Sequence, residues 1–236
     1  MKLWYINIWL NPKTGYDDEY RYEFTLHTRF ISNYFSKRIR KHKFATDGTF
    51  SMISVDPMPK EIEECKIVPE DALTVYVPFE KRRYEQIKGT KDCEYYLELL
   101  EEGFRKASKC KEVPLDTLLD LSDEFRKNGY KNEWQHKKKR FKQQDIEVVL
   151  NCYFTTLDFR LVATINKIST KEELCSGTVL LTDPDEICFD KMFKDILIDK
   201  GKIIITDGFD SSRIIINLKN VLNKEFSYEL LEDDEL

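Results

Sequence analysis

The clearest pattern along the chain is an alternation of apolar and polar residues between positions 145 and 168. The first run has its apolar residues at Ile146, Val148, Leu150, Cys152 and Phe154. A second run extends from Leu157 to Ile165. Because side chains alternate across a strand, each run builds one apolar face, and two runs with so short a break predict a β-hairpin. An isolated hairpin is only marginally stable, so we expect other strands and helices to cover this face.

The same reasoning predicts further elements along the chain. Strands are predicted where apolar residues alternate or cluster in short runs: 2–10, 19–27, 49–55, 72–79, 177–182, 202–206 and 213–217. Helices are predicted where apolar residues repeat at three and four: 28–43, 92–109, 114–128, 189–197 and 218–226. We expect the first two strands to pair as a hairpin. The short link between 92–109 and 114–128 predicts an antiparallel helix pair.

These elements predict an α+β fold with a mainly antiparallel sheet, a helical hairpin and two or three further helices. We expect an N-terminal α+β region at 1–129 and a C-terminal β-rich region at 145–230. Residues 130–144 are polar and basic, and this shift in composition makes them the expected connector, which we expect to be solvated. The alternative is one continuous domain. The acidic tail, 229–236, is expected to fray.

Composition and charge restrict the class of protein. The chain has 236 residues, of which 34% are charged, and its net charge is −5. This negative net charge does not favour a general affinity for nucleic acid or anionic membranes. No segment has the roughly 18–20 consecutive apolar residues needed to cross a bilayer. The six cysteines are irregularly spaced, so we expect reduced, mostly buried thiols in a cytoplasmic protein.

Common catalytic motifs are absent from the sequence. Its glycines form no phosphate-binding loop of either common type, and no H-E-x-x-H or G-x-S-x-G occurs. A nucleophilic pair of Cys110 or Cys152 with His27, His42 or His136 would require tertiary contact, because none of these residues are neighbours in sequence. Whether the protein is an enzyme is left open, with a non-enzyme favoured, and we expect no cofactor.

An acidic cluster follows the predicted strand at 177–182. Asp183, Asp185 and Asp190 are candidate oxygen ligands for Mg²⁺ or Ca²⁺, and Asp183-Pro184-Asp185 has a D-x-D form. The interpretation that we favour is a proline turn followed by a helix N-terminus, where carboxylates stabilise exposed N–H groups. Asp207-Gly208-Phe209-Asp210 is likewise predicted to be a turn.

Two basic clusters are candidates for binding a partner. Their members are Arg38, Arg40 and Lys41 on the predicted helix 28–43, and Trp134, Lys138, Lys139, Arg140 and Phe141 in the polar segment. Basic residues interleaved with aromatics suit phosphates and stacked bases, or an acidic protein surface. A solvated face with no partner is the simplest alternative.

The function that we expect is non-catalytic binding of another protein, because charges of both signs and aromatic residues are abundant. In this general character, although not in any motif, the chain looks like small acidic bacterial immunity proteins, which bind and neutralise a toxin's enzymatic domain. An immunity-type inhibitor is therefore the specific form expected, with a toxin domain as partner. The alternatives are a metal-dependent enzyme acting on nucleic acid or nucleotides, and a nucleic-acid-binding module.

Overall fold

A computed structural model describes residues 1–60, 62, 64–68 and 71–231 of the chain. Its helices are α1 (Asp18–His42), α2 (Lys81–Ile87), α3 (Glu94–Cys110), α4 (Leu115–Lys127), α5 (Glu186–Phe189) and α6 (Leu218–Leu222). Its strands are β1 (Tyr5–Ile8), β2 (Met52–Met58), β3 (Lys66–Val68), β4 (Ala72–Pro78), β5 (Asn132–Phe141), β6 (Ile146–Phe154), β7 (Phe159–Lys167), β8 (Glu173–Thr182), β9 (Asp195–Asp199), β10 (Lys202–Thr206), β11 (Ser212–Asn217) and β12 (Tyr228–Leu230). The α+β class, the mainly antiparallel pairing and the helical hairpin α3–α4 are confirmed. None of the described helices has the length and apolar character required to traverse a bilayer.

The chain divides into two compact units. The first contains Met1–Asn132 and the short segment Thr155–Leu157, and the second contains Glu133–Phe154 and the chain from Asp158 onward. This division lies close to the composition shift at 130–144. The regions expected at 1–129 and 145–230, with one continuous domain as the alternative, stay predictions.

The first unit is built on a mixed sheet with the strand order β1-β2-β4-β3. Strand β1 is parallel to β2, and β2 is parallel to β4, whereas β3 at the edge is antiparallel to β4. Helices α1 and α3 pack against this sheet. The chain therefore passes from β1 through α1 to a parallel neighbour, instead of returning as the hairpin expected from the sequence.

The predicted strand at 19–27 is wrong, because these residues belong to the 25-residue helix α1. The carboxylate of Asp17 caps this helix by accepting a hydrogen bond from Tyr20 N at 2.7 Å. Phe24 and Thr28, four residues apart, are both buried, while Tyr22 is 55% exposed. The aromatic residues at 20, 22 and 24 alternate as they would in a strand. In the helix, however, only residues 20 and 24 lie on the packed face.

Polar residues of α1 cover the outer edge of β1. The Ser36 hydroxyl accepts from Ile6 N at 3.0 Å and donates to Ile6 O at 3.1 Å, and Thr28 donates to Ile8 O at 3.2 Å. Arg40 extends this row by donating to the backbone of the residue before β1. These bonds satisfy edge groups that would otherwise be a template for pairing with another chain.

The second unit contains two antiparallel sheets, with the orders β5-β6-β7-β8 and β12-β11-β10-β9. The predicted hairpin is confirmed as β6 and β7, which pair from Ile146–Lys167 to Phe154–Phe159. Phe159 is fully buried and stacks on the Phe189 ring, with 3.6 Å between ring centroids. The apolar face of the hairpin is therefore part of the core, as expected.

The polar segment 130–144 is not simply a solvated connector, because most of it forms the edge strand β5. Acidic side chains of β6 and β9 neutralise its basic residues. The pairs, with nitrogen–oxygen distances of 2.5–3.2 Å, are Lys138–Glu147, Arg140–Glu147, Lys137–Asp195 and Lys139–Asp195. Lysine-rich composition suits an edge strand, which explains how so polar a run forms regular structure.

Two smaller expectations, the helix at 189–197 and the frayed tail at 229–236, are compared with the structure next. The predicted helix at 189–197 is replaced by the one-turn helix α5 and the strand β9. Residues 228–230 of the C-terminal region form strand β12, and the acidic residues 232–236 lie outside the described residues.

The expectation of reduced cysteines is wrong for one pair. Cys65 and Cys110 form a disulfide that joins the segment before β3 to the end of α3. Their 45-residue separation gave no sign of pairing in the sequence. Cys93, Cys152 and Cys175 lie outside the disulfide and are buried, as expected, and Cys188 is exposed.

Candidate functional site

A cleft of about 280 Å³ lies in the second unit, between α5 and the loop that joins β10 to β11. Ile187 and Cys188 line it from α5, and Phe209 lines it from the loop. Lys191 and Arg213 contribute charged side chains to the same cleft. The backbone turns that form the two walls determine which side chains face this cleft.

Two large apolar side chains at this cleft are unusually exposed. Ile187 is 81% exposed and Phe209 is 74% exposed, the highest values among the large apolar residues that the structure describes. Single exposed apolar residues are common, but an exposed pair around one concave site is typical of an interaction surface.

The turn that carries Phe209 is held by the buried carboxylate of Asp207. One oxygen of this carboxylate accepts from Phe209 N at 2.8 Å and from Ser211 N at 2.9 Å. The backbone N–H of Asp207 donates in return to Ser211 O at 2.9 Å, and Gly208 N donates to Lys191 O at 2.7 Å. These bonds are local and mutually supporting, so the loop presents Phe209 from a fixed backbone.

Ile187 is presented in the same way by Asp185. This aspartate is buried and caps α5, accepting from Ile187 N at 3.0 Å. In each wall, a buried aspartate therefore binds the backbone N–H of the exposed apolar residue two positions later. The repeated arrangement holds the backbone from which each apolar side chain projects.

The predicted acidic cluster is distributed differently from a metal site. Asp185 is buried and engaged in capping α5, while Asp183 and Asp190 are exposed. Within the described part of the chain, no three or more Asp, Glu, His or Cys side chains gather as a metal would require. The interpretation of a proline turn leading into a helix N-terminus is confirmed.

The charges near the cleft are mixed in sign. The Lys191 ammonium lies over the Phe209 ring, 5.4 Å from its centroid, and Lys194 pairs with Asp210 at 2.8 Å. Lys191 therefore adds positive charge directly beside the exposed ring, where it also shields part of the apolar surface.

The predicted basic residues of the first unit lie on the last turns of α1. Arg38 and Arg40 each lie over an aromatic ring, Tyr34 at 3.5 Å and Tyr5 at 4.4 Å from the ring centroids. Lys41 is exposed. Both arginines thus have intramolecular contacts that hold their side chains against the fold.

The predicted binding residues of the second unit lie on β5. Trp134 is half-buried, with its ring 6.1 Å from that of Phe159, and the Phe141 ring lies 5.9 Å from the Lys139 ammonium. The basic candidates are engaged in the ion pairs of β5 described above. Their charge is therefore partly neutralised, which weakens the argument for a phosphate-binding surface.

Only part of the cleft was signalled by the sequence. Asp183–Asp185 and Asp207–Asp210 were recognised as turns, but not as supports for an exposed apolar residue two positions later. Apolar residues are ordinarily assigned to the core, and exposure of Phe209 depends on tertiary structure.

Comparisons of the chain with protein-family models, with curated proteins and with solved structures found no match.

Proposed function

We propose that the chain is a non-catalytic protein-binding protein whose anchor residues are Ile187 and Phe209. The observation that supports this proposal is the exposure of both side chains on turns fixed by buried aspartates. Apolar surface held in water is costly, and burying it against a partner is favourable. A fixed backbone also reduces the ordering cost of binding.

The partner that fits this surface has an apolar pocket flanked by carboxylates. The pocket would receive the Phe209 ring, and the carboxylates would face Lys191 and Arg213, which line the cleft. Aromatic and arginine residues at the centre of an interface commonly supply most of the binding free energy. The remaining contacts would mainly exclude water.

The specific form that we propose is an immunity-type inhibitor, which neutralises a toxin or enzyme by direct binding. The support is the general character of the chain, with a net charge of −5 and 34% charged residues. Charges of this density accelerate association with an oppositely charged domain. The compartment proposed for this action is the cytoplasm.

Comparative capture from a lysate of the native host tests protein binding. The baits are the wild-type chain, an Ile187→Ala/Phe209→Ala variant and a Leu222→Ala variant as the control. Leu222 is 55% exposed on α6 and does not line the cleft. We expect a protein retained by wild type and by the control but lost with the double variant. Identical capture by all three baits would contradict the proposed surface.

The inhibitor form has a separate test. The captured protein is purified, and its enzymatic or toxic activity is measured with and without an equimolar amount of the chain. We expect loss of activity with the wild-type chain and little loss with the double variant. A partner that keeps full activity inside the complex would exclude inhibition while leaving protein binding intact.

A further inference from the structure

A second cleft lies in the first unit, on the face of the mixed sheet that carries the polar residues of β1, β2 and β4. Its volume is about 240 Å³. On β2, Ser54 and Asp56 point to this face, while Val55 between them approaches Gly103 of α3 on the opposite face. Polar side chains in three adjacent strands are unexpected at the centre of a sheet, because buried polar groups are costly without hydrogen bonds.

The strand register places these residues in two rows. Asn7, Ser54 and Thr74 are partners across β1, β2 and β4, and Asp56 and Tyr76 are partners in the next row. Each row therefore presents hydroxyl, amide or carboxylate groups side by side at the cleft.

A hydrogen-bonded chain fixes one part of the cleft. The Trp9 indole donates to Ser54 Oγ at 3.1 Å, and Ser54 donates to Asp56 Oδ1 at 2.8 Å. Asn11 donates to the other carboxylate oxygen, Oδ2, at 3.0 Å. Asp56 is only 1% exposed, and burial raises the pKa of its carboxyl, while the bonds from Asn11 and Ser54 oppose that change. The carboxylate thus holds the side chains around it in place.

Further polar residues line the same cleft. Thr74 and Tyr76 line it from β4 with their hydroxyl-bearing side chains, and these residues are only 3% and 7% exposed. Asn7 lines it from β1. Groups of this kind ordinarily bind another part of the protein, water or a ligand.

We propose that this cleft binds a small, neutral, polyhydroxylated molecule of the monosaccharide or polyol class. Hydroxyl and amide groups both donate and accept, so they match the hydroxyls of such a ligand. The Trp9 indole and the Tyr76 ring offer apolar faces for its carbon skeleton. The volume lies below the roughly 300 Å³ at which pockets for drug-sized ligands begin, which restricts the ligand to a small molecule.

Charge makes a neutral ligand the best fit. The buried carboxylate of Asp56 opposes an anion such as phosphate, and Lys13 at the cleft opposes a cation. Both oxygens of the Asp56 carboxylate already accept a hydrogen bond, so this group has less capacity left to bind an ammonium ligand. The site belongs to the first unit, and it does not depend on the protein-binding surface proposed above.

Ligand-observed NMR and calorimetric titration of the whole chain test this site. The neutral probes are glucose, ribose, N-acetylglucosamine, myo-inositol and glycerol, and the charged probes are choline and inorganic phosphate. Tyr76→Phe and Thr74→Val each remove one hydroxyl with little change of shape. Tyr34→Phe is the matched control, because it removes a buried hydroxyl that has no partner in the described part of the chain and that belongs to a residue outside the cleft.

We expect saturable binding of at least one neutral probe to wild type and to Tyr34→Phe. Tyr76→Phe and Thr74→Val should each weaken it about tenfold, because the ligand hydroxyl they contact is left without a partner. Thermal melting of the free variants separates weaker binding from loss of folding. Failure of every neutral probe to saturate, preferential binding of choline or phosphate, or equal weakening in the control would overturn the proposal.

Discussion

Asp185 and Asp207 are buried residues whose carboxylates accept hydrogen bonds from backbone N–H groups of their own loops. The sequence allowed both to be placed in turns, because aspartate beside proline or glycine is typical of such turns. It did not reveal that Ile187 and Phe209 are exposed. Residues a few positions apart determine the hydrogen bonds of a turn. The exposure of a side chain, in contrast, depends on whether distant parts of the chain pack over it.

Replacement of Asp207 tests the residue-scale part of the account. Asp207→Ala leaves the N–H groups of Phe209 and Ser211 without their acceptor, so we expect the free energy of unfolding to fall by about 1–2 kcal/mol. Affinity for the captured partner should fall as well, because Phe209 is no longer held. Denaturant titration and calorimetry give the two quantities.

Asp207→Asn is the matched control for this change. Its amide oxygen can accept the same two hydrogen bonds, so we expect stability and affinity close to those of wild type. An alanine variant that kept both quantities unchanged would show that the carboxylate does not hold the turn.

At the scale of elements, the errors have identifiable physical causes. Helix α1 was partly mistaken for a strand because aromatic residues at 20, 22 and 24 alternate over too short a window to separate a period of two from 3.6. Strand β5 was mistaken for a connector because its basic side chains are neutralised by Glu147 and Asp195, which lie elsewhere in the sequence. For β5, tertiary contacts outweighed the local pattern.

The contact between α3 and β2 gives an element-scale prediction. Alanine in place of a glycine inside a helix normally adds about 1 kcal/mol of stability. A Cβ at Gly103, however, would lie 2.4 Å from Val55 Cγ2. We therefore expect Gly103→Ala to lower the free energy of unfolding by about 1–3 kcal/mol, measured by denaturant titration.

A double-mutant cycle with Val55→Ala provides the control. Because the smaller side chain removes the two methyl groups that clash, the double variant should lose clearly less stability than the sum of the single variants. Simple additivity would show that the close approach of α3 to the sheet is not what requires glycine.

The ion pairs between β5 and β6 make a prediction about pH. Hydrogen bonds from Lys138 and then Arg140 hold the pKa of Glu147 below its usual value. The stability contributed by this carboxylate is therefore present above the unfolded pKa of about 4.3 and is lost as pH falls through the folded value. Glu147→Gln should lower Tm at pH 7 by about 2–4 °C, and this difference should shrink below about pH 4.

Glu173→Gln is the control for the pH experiment, because Glu173 is an exposed residue of β8. We expect its Tm to follow that of wild type at every pH. A Glu147→Gln difference that stayed constant between neutral and acidic pH would show that the pairs do not stabilise the edge strand.

For the whole molecule, the fold class followed from the sequence because the longest apolar patterns are regular and local. The disulfide between Cys65 and Cys110 did not, since pairing over 45 residues leaves no spacing signal. The cleft was only partly predictable, because its turns were expected but its residues extend from Ile187 to Arg213, and strands β9 and β10 separate its two walls in sequence. Only the folded sheet brings them together.

The most direct test of the central claim is the affinity of the purified partner for the chain, measured by calorimetry. Phe209→Ala should weaken this affinity at least about 30-fold, equivalent to roughly 2 kcal/mol for an anchor residue. Leu222→Ala should leave it within about twofold of wild type, as expected for an exposed residue outside the interface. Equal affinities for wild type and for a folded Phe209→Ala variant would contradict the account.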